Sequence, residues 1–135
     1  MEPIIIPIQI SQDSAEPIYH QIETQLRTLI AGGQLPPGTP LPSIRSLAKD
    51  LSCSVITTRR AYQNLEQDGF IKTTQGRGTF VAEVDAQEQA AYREQATAEA
   101  FQRAITLSLQ LKCPPEEIRR IFETELKKKL SKQDD

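Results

Sequence analysis

Hydroxyl and arginine side chains occur together at the starts of two short predicted helices, within "LPSIRSLAKDLSCSVITTRRAYQNLEQDG". Ser43 and Arg45 open the first helix, and Ser54, Thr57 and Arg59 open the second. A guanidinium can bind guanine bidentately, and hydroxyls can hold phosphates. The N-terminal end of a recognition helix points into the major groove. The pattern therefore indicates DNA recognition, and the alternative is that Arg59 only solvates a helix surface.

The charge of the chain is unevenly distributed along the sequence. Its net charge is −2, yet the segment from Ser43 to Thr79 contains six basic residues and three acidic ones. A local basic patch is what contact with phosphates requires, although charge clusters also occur on solvated faces without a partner.

Residue types that support catalysis or metal binding are sparse in this sequence. His20 is the only histidine, and Cys53 and Cys113 lie far apart and outside any C-x-x-C pair. No Ser/His/Asp set, metal cluster or phosphate-binding loop is recognisable, because "QGRG" belongs to a predicted hairpin. We therefore expect no enzyme activity, no cofactor and no metal, with both cysteines acting as small buried hydrophobes.

The 135 residues suffice for one typical domain, or for a small domain with an appendage. No apolar run approaches the roughly 20 residues that span a bilayer. The stretch "PIIIPIQI" has neither a basic n-region nor a cleavage site, so it is not expected to be a signal peptide. A cytoplasmic protein without a membrane partner is the expectation.

The N-terminal part of the chain is predicted to be mainly helical with a small β-hairpin. "IPIQIS" is a candidate edge strand, and a helix with an apolar stripe follows from about Pro17 to Gly32. Ser43 and Ser54 are expected to cap the two short helices, which form a helix-turn-helix. "FIKTT" and "GTFVAEV" flank "QGRG" and predict a hairpin that acts as a wing.

The C-terminal part changes to alanine, glutamine and glutamate and is predicted to form two helices. One runs through "DAQEQAAYREQATAEAFQRAITLSLQLK", the next begins near Pro115, and the tail "SKQDD" is expected to be disordered. Their apolar stripes either pack on the rest of the chain or form a dimer interface, and so small a hairpin favours the dimer. The residues assigned to dimerisation are Ala98, Phe101, Ile105, Leu109, Ile118 and Phe122.

Three motifs in order carry a resemblance to a known family: "LPS-x-R-x-LA", "RRAY-x-x-LE-x-x-G" and "G-x-GTFV". From residue 17 to residue 81 the chain resembles the GntR family of bacterial transcription regulators, and its short helical C-terminal part looks like that of the YtrA-like subfamily. The change in composition near Glu83 divides the chain into residues 1–82 and a helical dimerisation region in residues 83–135. The resemblance implies that the first part is a winged helix-turn-helix. It further implies a homodimer that binds a partly palindromic operator, usually as a repressor.

The resemblance also implies which side chains face the DNA. Together with the two apolar residues that follow Ser54, the predicted DNA-binding set is Ser43, Arg45, Ser54, Val55, Ile56, Thr57, Arg59, Gln75, Gly76 and Arg77. Val55 and Ile56 stand where the family often has polar or basic residues, and an apolar side chain can contact a thymine methyl. Thr58 stands where the family often has a core-facing valine.

Two questions stay open at the level of sequence. A winged helix can also serve protein–protein contact, and the acidic total charge agrees with that alternative. No residue identifies a small-molecule effector, which would have to bind in a small cleft between the helical pair and the winged domain or at the dimer interface.

Overall fold

The computed structural model describes residues 6–133, and in that part of the chain it contains five helices and a three-stranded sheet. The helices are α1 (Ile18–Ala31), α2 (Ile44–Leu51), α3 (Val55–Gln67), α4 (Ala86–Gln110) and α5 (Pro115–Gln133), and the strands are β1 (Pro40–Leu41), β2 (Ile71–Thr74) and β3 (Gly78–Val81). The expected fold class, mainly α with a small β-hairpin, is confirmed.

The chain divides into two compact units, and the boundary between them lies within α4, after Arg93. We call the part up to Arg93 the winged unit and the part from Glu94 onward the helical unit. The domain boundary predicted after residue 82 stays a prediction. No helix in residues 6–133 is long and apolar enough to cross a membrane.

The core of the winged unit lies between α1, α3 and the sheet. The apolar stripe of α1 faces inward, since Ile22 and Leu26 are fully buried and Ile30 is nearly so. Leu65 of α3 packs in the same buried cluster, together with Ile71 and Val81 of the sheet. The helical spacing of the apolar residues therefore fixed which face of each helix is buried.

The sheet has the strand order β1-β3-β2 with antiparallel pairing throughout. In the predicted hairpin Thr73 lies opposite Thr79, and their hydroxyls are 3.2 Å apart. Strand β1 was not predicted, because it lies in the proline-rich connection "QLPPGTPLP". Its place is fixed by a partner about forty residues away, since Leu41 pairs with Thr79.

The edge strand expected over "IPIQIS" is wrong, because its backbone bonds to side chains of α1 and not to a strand. The side-chain amide of Gln25 accepts from the backbone N–H of Gln9 at 2.9 Å and donates to its carbonyl at 2.7 Å. Gln21 does the same for Ser11, at 2.8 and 3.0 Å. Side chains of α1 therefore take the place of a strand partner for this backbone. Residues 3–5 of "PIIIPIQI" lie outside the described part.

The helical unit consists of the rest of α4 and of α5. The predicted helix near Pro115 is confirmed, but α5 continues to Gln133. The prediction of a disordered tail is therefore wrong for residues 131–133, because α5 continues through them. Residues 134–135 lie outside the described part. None of the described residues of α4 or α5 is buried. Phe101 and Phe122 contact each other edge to face, with ring centroids 5.6 Å apart.

Candidate nucleic-acid interface

The start of α2 presents a capped helix end with an exposed arginine. The Ser43 hydroxyl accepts a hydrogen bond from the Ser46 N–H at 3.1 Å, as its role as N-cap predicts. Arg45 is exposed on the first turn, where the helix dipole disfavours a positive charge, and no acidic residue lies in that turn. An anion from outside the chain, such as a phosphate, would offset this charge.

The turn between α2 and α3 is set by a left-handed residue. Ser52 has a φ of 54°, and the N–H of Cys53 donates to the Ala48 carbonyl at 3.0 Å to close the end of α2. The chain then re-enters a helix at Ser54, whose hydroxyl accepts from the Thr57 N–H at 3.0 Å. The two predicted caps of the helix-turn-helix are therefore both present.

The Ser54 and Thr57 hydroxyls make different hydrogen bonds at the N-terminus of α3. Ser54 donates its hydroxyl hydrogen to the Thr57 oxygen at 2.9 Å, in addition to its role as cap. Thr57 therefore keeps its own hydroxyl hydrogen for an acceptor outside the helix, such as a phosphate oxygen. Of the two predicted phosphate contacts, Thr57 is the better prepared donor.

Ile56 is unusual in the winged unit, because 77% of the residue's surface is exposed. Among the described residues of that unit it is the one large hydrophobic side chain that is exposed. Val55, beside it, is half-buried. The Ile56 side chain is therefore accessible to a partner that approaches the N-terminal end of α3.

Thr58 shows why a hydroxyl is tolerated at a buried position of α3. Its side chain is fully buried, and its hydroxyl donates to the Ser54 carbonyl at 3.2 Å. The Cys53 sulfur lies 3.3 Å from the Thr58 hydroxyl oxygen. The departure from the family pattern at this position is thus satisfied locally.

The two adjacent arginines of α3 have different environments. Arg60 lies over the Tyr19 ring of α1, with its guanidinium carbon 3.8 Å from the ring centroid. That is a cation–π contact within the fold. Arg59 is exposed. The sequence assigned only Arg59 to DNA and did not reveal the partner of Arg60, because Tyr19 lies about forty residues earlier in the chain.

The wing ends in an exposed turn that contains Gln75, Gly76 and Arg77. The Arg77 N–H donates to the Thr74 carbonyl at 3.0 Å, which closes the turn. Gly76 has a φ of 81°, a left-handed value that a side chain would strain. The turn therefore holds Arg77 at the tip of the hairpin.

Basic side chains on α2, α3 and the hairpin are left without acidic partners. None of them forms an ion pair with another residue in the described range; they are Arg45, Lys49, Arg59, Arg60, Lys72 and Arg77. Arg27 of α1, by contrast, lies 2.6 Å from Asp68 and 3.6 Å from Glu23. Most of the uncompensated positive charge of the winged unit thus lies on the elements that the sequence assigned to DNA, and Arg93 of α4 is the further base of that unit without an ion pair among the described residues.

One positioning contact was missed by sequence reasoning. The Tyr62 hydroxyl of α3 donates to the carbonyl of Pro42 at 2.7 Å. Pro42 directly precedes the cap Ser43, so this bond ties the start of α2 to the middle of α3. Burial also raises the pKa of Tyr62 well above its usual range.

The residues assigned to dimerisation line a shared groove only in part. Phe101 and Ile105 of α4 and Ile118 and Phe122 of α5 border one apolar groove of the helical unit. Leu109 is 52% exposed but does not border it, and Ala98 is exposed outside it as well.

The described part of the chain holds no group of three or more histidine, cysteine or carboxylate side chains placed to bind a metal.

Comparison with known proteins gives consistent matches to one family. The model for "Bacterial regulatory proteins, gntR family" matches residues 18–81. A solved structure, YtrA from Sulfolobus acidocaldarius, described as a GntR-family transcription factor, is 40% identical; the match covers 66% of this chain and 97% of that one, with a TM-score of 0.54. This chain belongs to the GntR family.

Other relatives agree with this assignment. A GntR family transcriptional regulator from Listeria monocytogenes has a TM-score of 0.72 at 28% identity, and the match covers 83% of this chain and 97% of that one. The HTH-type transcriptional repressor YtrA of Bacillus subtilis is 43% identical over 76 residues, which are 56% of this chain and 58% of that protein. The curated relatives are matched over less than two thirds of their length, with 58%, 31% and 64% for three of them.

As a GntR-family member, the chain belongs among regulatory proteins rather than enzymes, which confirms the prediction of a protein without catalytic activity. The matched segment from residue 18 to residue 81 begins with α1 and ends with β3. It therefore covers all the residues that the sequence assigned to DNA contact, whose individual roles stay predictions.

Proposed function

We propose that this chain is a homodimeric, sequence-specific DNA-binding transcription regulator that acts as a repressor on a partly palindromic operator. The observation that carries the proposal is the N-terminal face of α3, which combines an exposed Ile56, a prepared donor in Thr57 and an exposed Arg59 without an ion pair among the described residues. Because operators are chromosomal, a cytoplasmic location goes with the proposal.

In the proposed complex α3 lies in the major groove, which is about 12 Å wide and admits one helix. Arg59 binds a guanine edge, Ile56 packs against a thymine methyl, and Thr57 donates to a phosphate. Val55, which is half-buried, supports the apolar contact, and Ser54 fixes the helix end.

The start of α2 and the wing complete the proposed interface. Ser43 and Arg45 approach the phosphate backbone beside the groove, and the phosphate offsets the charge of Arg45 at its helix terminus. Arg77 enters the minor groove, whose negative potential attracts arginine, with Gln75 and Gly76 forming the rest of the tip.

Homodimerisation is proposed through the helical unit. Its helices have no buried residue in the described range, and Phe101, Ile105 and Phe122 are each more than 40% exposed. A second copy would cover these side chains, and a twofold dimer matches a palindromic site. Repression is supported by the similarity to YtrA of Bacillus subtilis, which is a transcriptional repressor.

The test is selection of bound sequences from a random duplex pool, followed by anisotropy titrations of the enriched duplexes across a salt series. We expect an inverted repeat and a steep decrease of affinity with salt, because each neutralised phosphate releases counterions. Absence of enrichment together with weak binding would contradict the proposal and favour a winged helix used for protein–protein contact.

A further inference from the structure

A cleft of about 270 Å³ lies inside the winged unit, on the side formed by the end of α1 and the first turns of α4. Ile30 and Pro36 form part of its apolar wall, and Phe70, at the entrance to β2, closes another side. Glu88 and Tyr92 of α4 line the remaining side. The volume is just below the roughly 300–1,000 Å³ of sites for drug-sized ligands, so the cleft suits a smaller molecule.

The charged groups that line this cleft are all acidic. Asp68 and Glu88 border it, and no lysine, arginine or histidine of the described chain does so. The adjoining last turn of α1 contains no basic residue either, so the negative end of its dipole is not compensated there. The electrostatic environment therefore favours a cation.

Two residues that line the cleft, Asp68 and Phe70, already contact a cation of this chain, Arg27. The Arg27 guanidinium lies 2.6 Å from the Asp68 carboxylate and 5.8 Å from the centroid of the Phe70 ring. A carboxylate and an aromatic face of two residues that line the cleft thus hold a positive charge. Because Arg27 neutralises Asp68, the carboxylate left for a further cation is that of Glu88.

Glu88 and Tyr92 place a second carboxylate and a second aromatic ring in the lining of the cleft, both on α4. They are four residues apart and therefore share one face of the helix. The Tyr92 ring contacts Phe70 edge to face, with centroids 5.2 Å apart. Glu88 forms no ion pair with any residue between 6 and 133. The Gln89 amide donates to the Ala31 carbonyl at 2.9 Å and anchors this part of α4 to α1.

We propose that this cleft binds a small organic cation, an ammonium group on an apolar or aromatic body, with the ammonium at Glu88 and the body between Phe70, Tyr92 and the apolar wall. The site goes beyond the proposed function, and its binding chemistry does not depend on DNA. A neutral or anionic molecule of the same shape would lose the attraction of Glu88.

The test uses the full chain without DNA, so that its outcome is independent of operator binding. Protonated 2-phenylethylamine is titrated and the backbone amide resonances of Phe70, Ala82 and Gln89 are followed by NMR. We expect these resonances to shift, with 2-phenylethanol and 3-phenylpropionate binding at least about tenfold more weakly, as loss of a charge-assisted hydrogen bond implies.

A pair of variants identifies the carboxylate. Glu88→Gln is expected to weaken amine binding about tenfold, whereas Glu94→Gln, the same charge change at an exposed position of α4 outside the cleft, leaves it unchanged. Both positions are exposed, so both variants are expected to fold. Equal binding of the alcohol and the amine, equal losses in the two variants, or no shift of cleft amides would overturn the proposal.

Discussion

Arg59 occupies the exposed side of α3 without an acidic partner in the described chain, whereas its neighbour Arg60 stacks on Tyr19. For Arg59→Ala we predict a decrease in specific operator affinity of about tenfold or more, since a bidentate guanine contact contributes roughly 1–3 kcal/mol of discrimination. Nonspecific duplex binding should change far less. Anisotropy with operator and scrambled duplexes measures both.

The matched control is Arg103→Ala, which removes the same charge from an exposed position of α4 in the helical unit. It should leave operator affinity close to that of the wild type. Equal losses of Arg59→Ala on operator and scrambled DNA would instead assign Arg59 to a phosphate.

The exposure of Ile56 gives a second prediction at the scale of a residue. Because 77% of its surface is exposed, Ile56→Ala should change the free energy of unfolding by less than about 0.5 kcal/mol. Operator affinity should nevertheless fall. Replacement of operator thymines by uracil, which lacks the methyl group, should weaken the wild type at one position and have no further effect on the variant. Additive losses at every thymine would argue against a methyl contact.

At the scale of elements, Tyr62 links α3 to the connection before α2 through its bond to Pro42. Tyr62→Phe removes that bond and leaves a buried carbonyl without it, so we expect a loss of about 1–2 kcal/mol in the free energy of unfolding. Urea denaturation measures the loss. Operator affinity should fall as well, because the start of α2 is less well fixed.

Tyr62 also predicts how stability depends on alkaline pH. Burial raises its pKa in the folded chain, so the folded state holds the proton more tightly than the unfolded state. This contribution is fully present below the ordinary value of about 10 and is lost as pH rises above it. Urea midpoints at pH 9 and pH 11 should show that loss in the wild type and in Tyr19→Phe, and a smaller loss in Tyr62→Phe.

The two glutamines of α1 make the N-terminal segment a further element-scale test. Gln21→Ala should increase amide hydrogen exchange at Ser11, and Gln25→Ala should do so at Gln9, because each amide donates to one of these side chains. Each variant serves as the control for the other. A uniform increase at both amides would mean that the segment detaches as one unit.

At the scale of the whole molecule, the winged unit includes the first turns of α4. A chain that ends at Arg93 keeps the Phe70–Tyr92 contact and the bond from Gln89 to Ala31. We predict that it folds and is monomeric, because the exposed apolar face of the helical unit is gone. Circular dichroism and analytical ultracentrifugation test this, with the full chain, which we propose to be a dimer, as the reference. A truncated chain that still dimerises would show that the interface lies in the winged unit.

The starts of α2 and α3 and the hairpin could be predicted from sequence because short-range contacts determine them. Ser43 and Ser54 cap helices by bonding to residues three positions later, and Gly76 supplies the φ that the hairpin turn needs. The apolar spacing in α1 was equally informative, since helical periodicity alone decides which side chains share a face.

Only the tertiary structure decided which distant partners these elements meet. Residues 6–11 form no strand because amides of α1 bind their backbone, and β1 exists because it pairs with β3. The contacts of Arg27 with Asp68 and Phe70 likewise join residues about forty positions apart in the chain. Sequence by itself determined the family, the helix-turn-helix and the candidate DNA-facing residues. Contacts between residues far apart in the chain determined the rest, because local spacing carries no information about them.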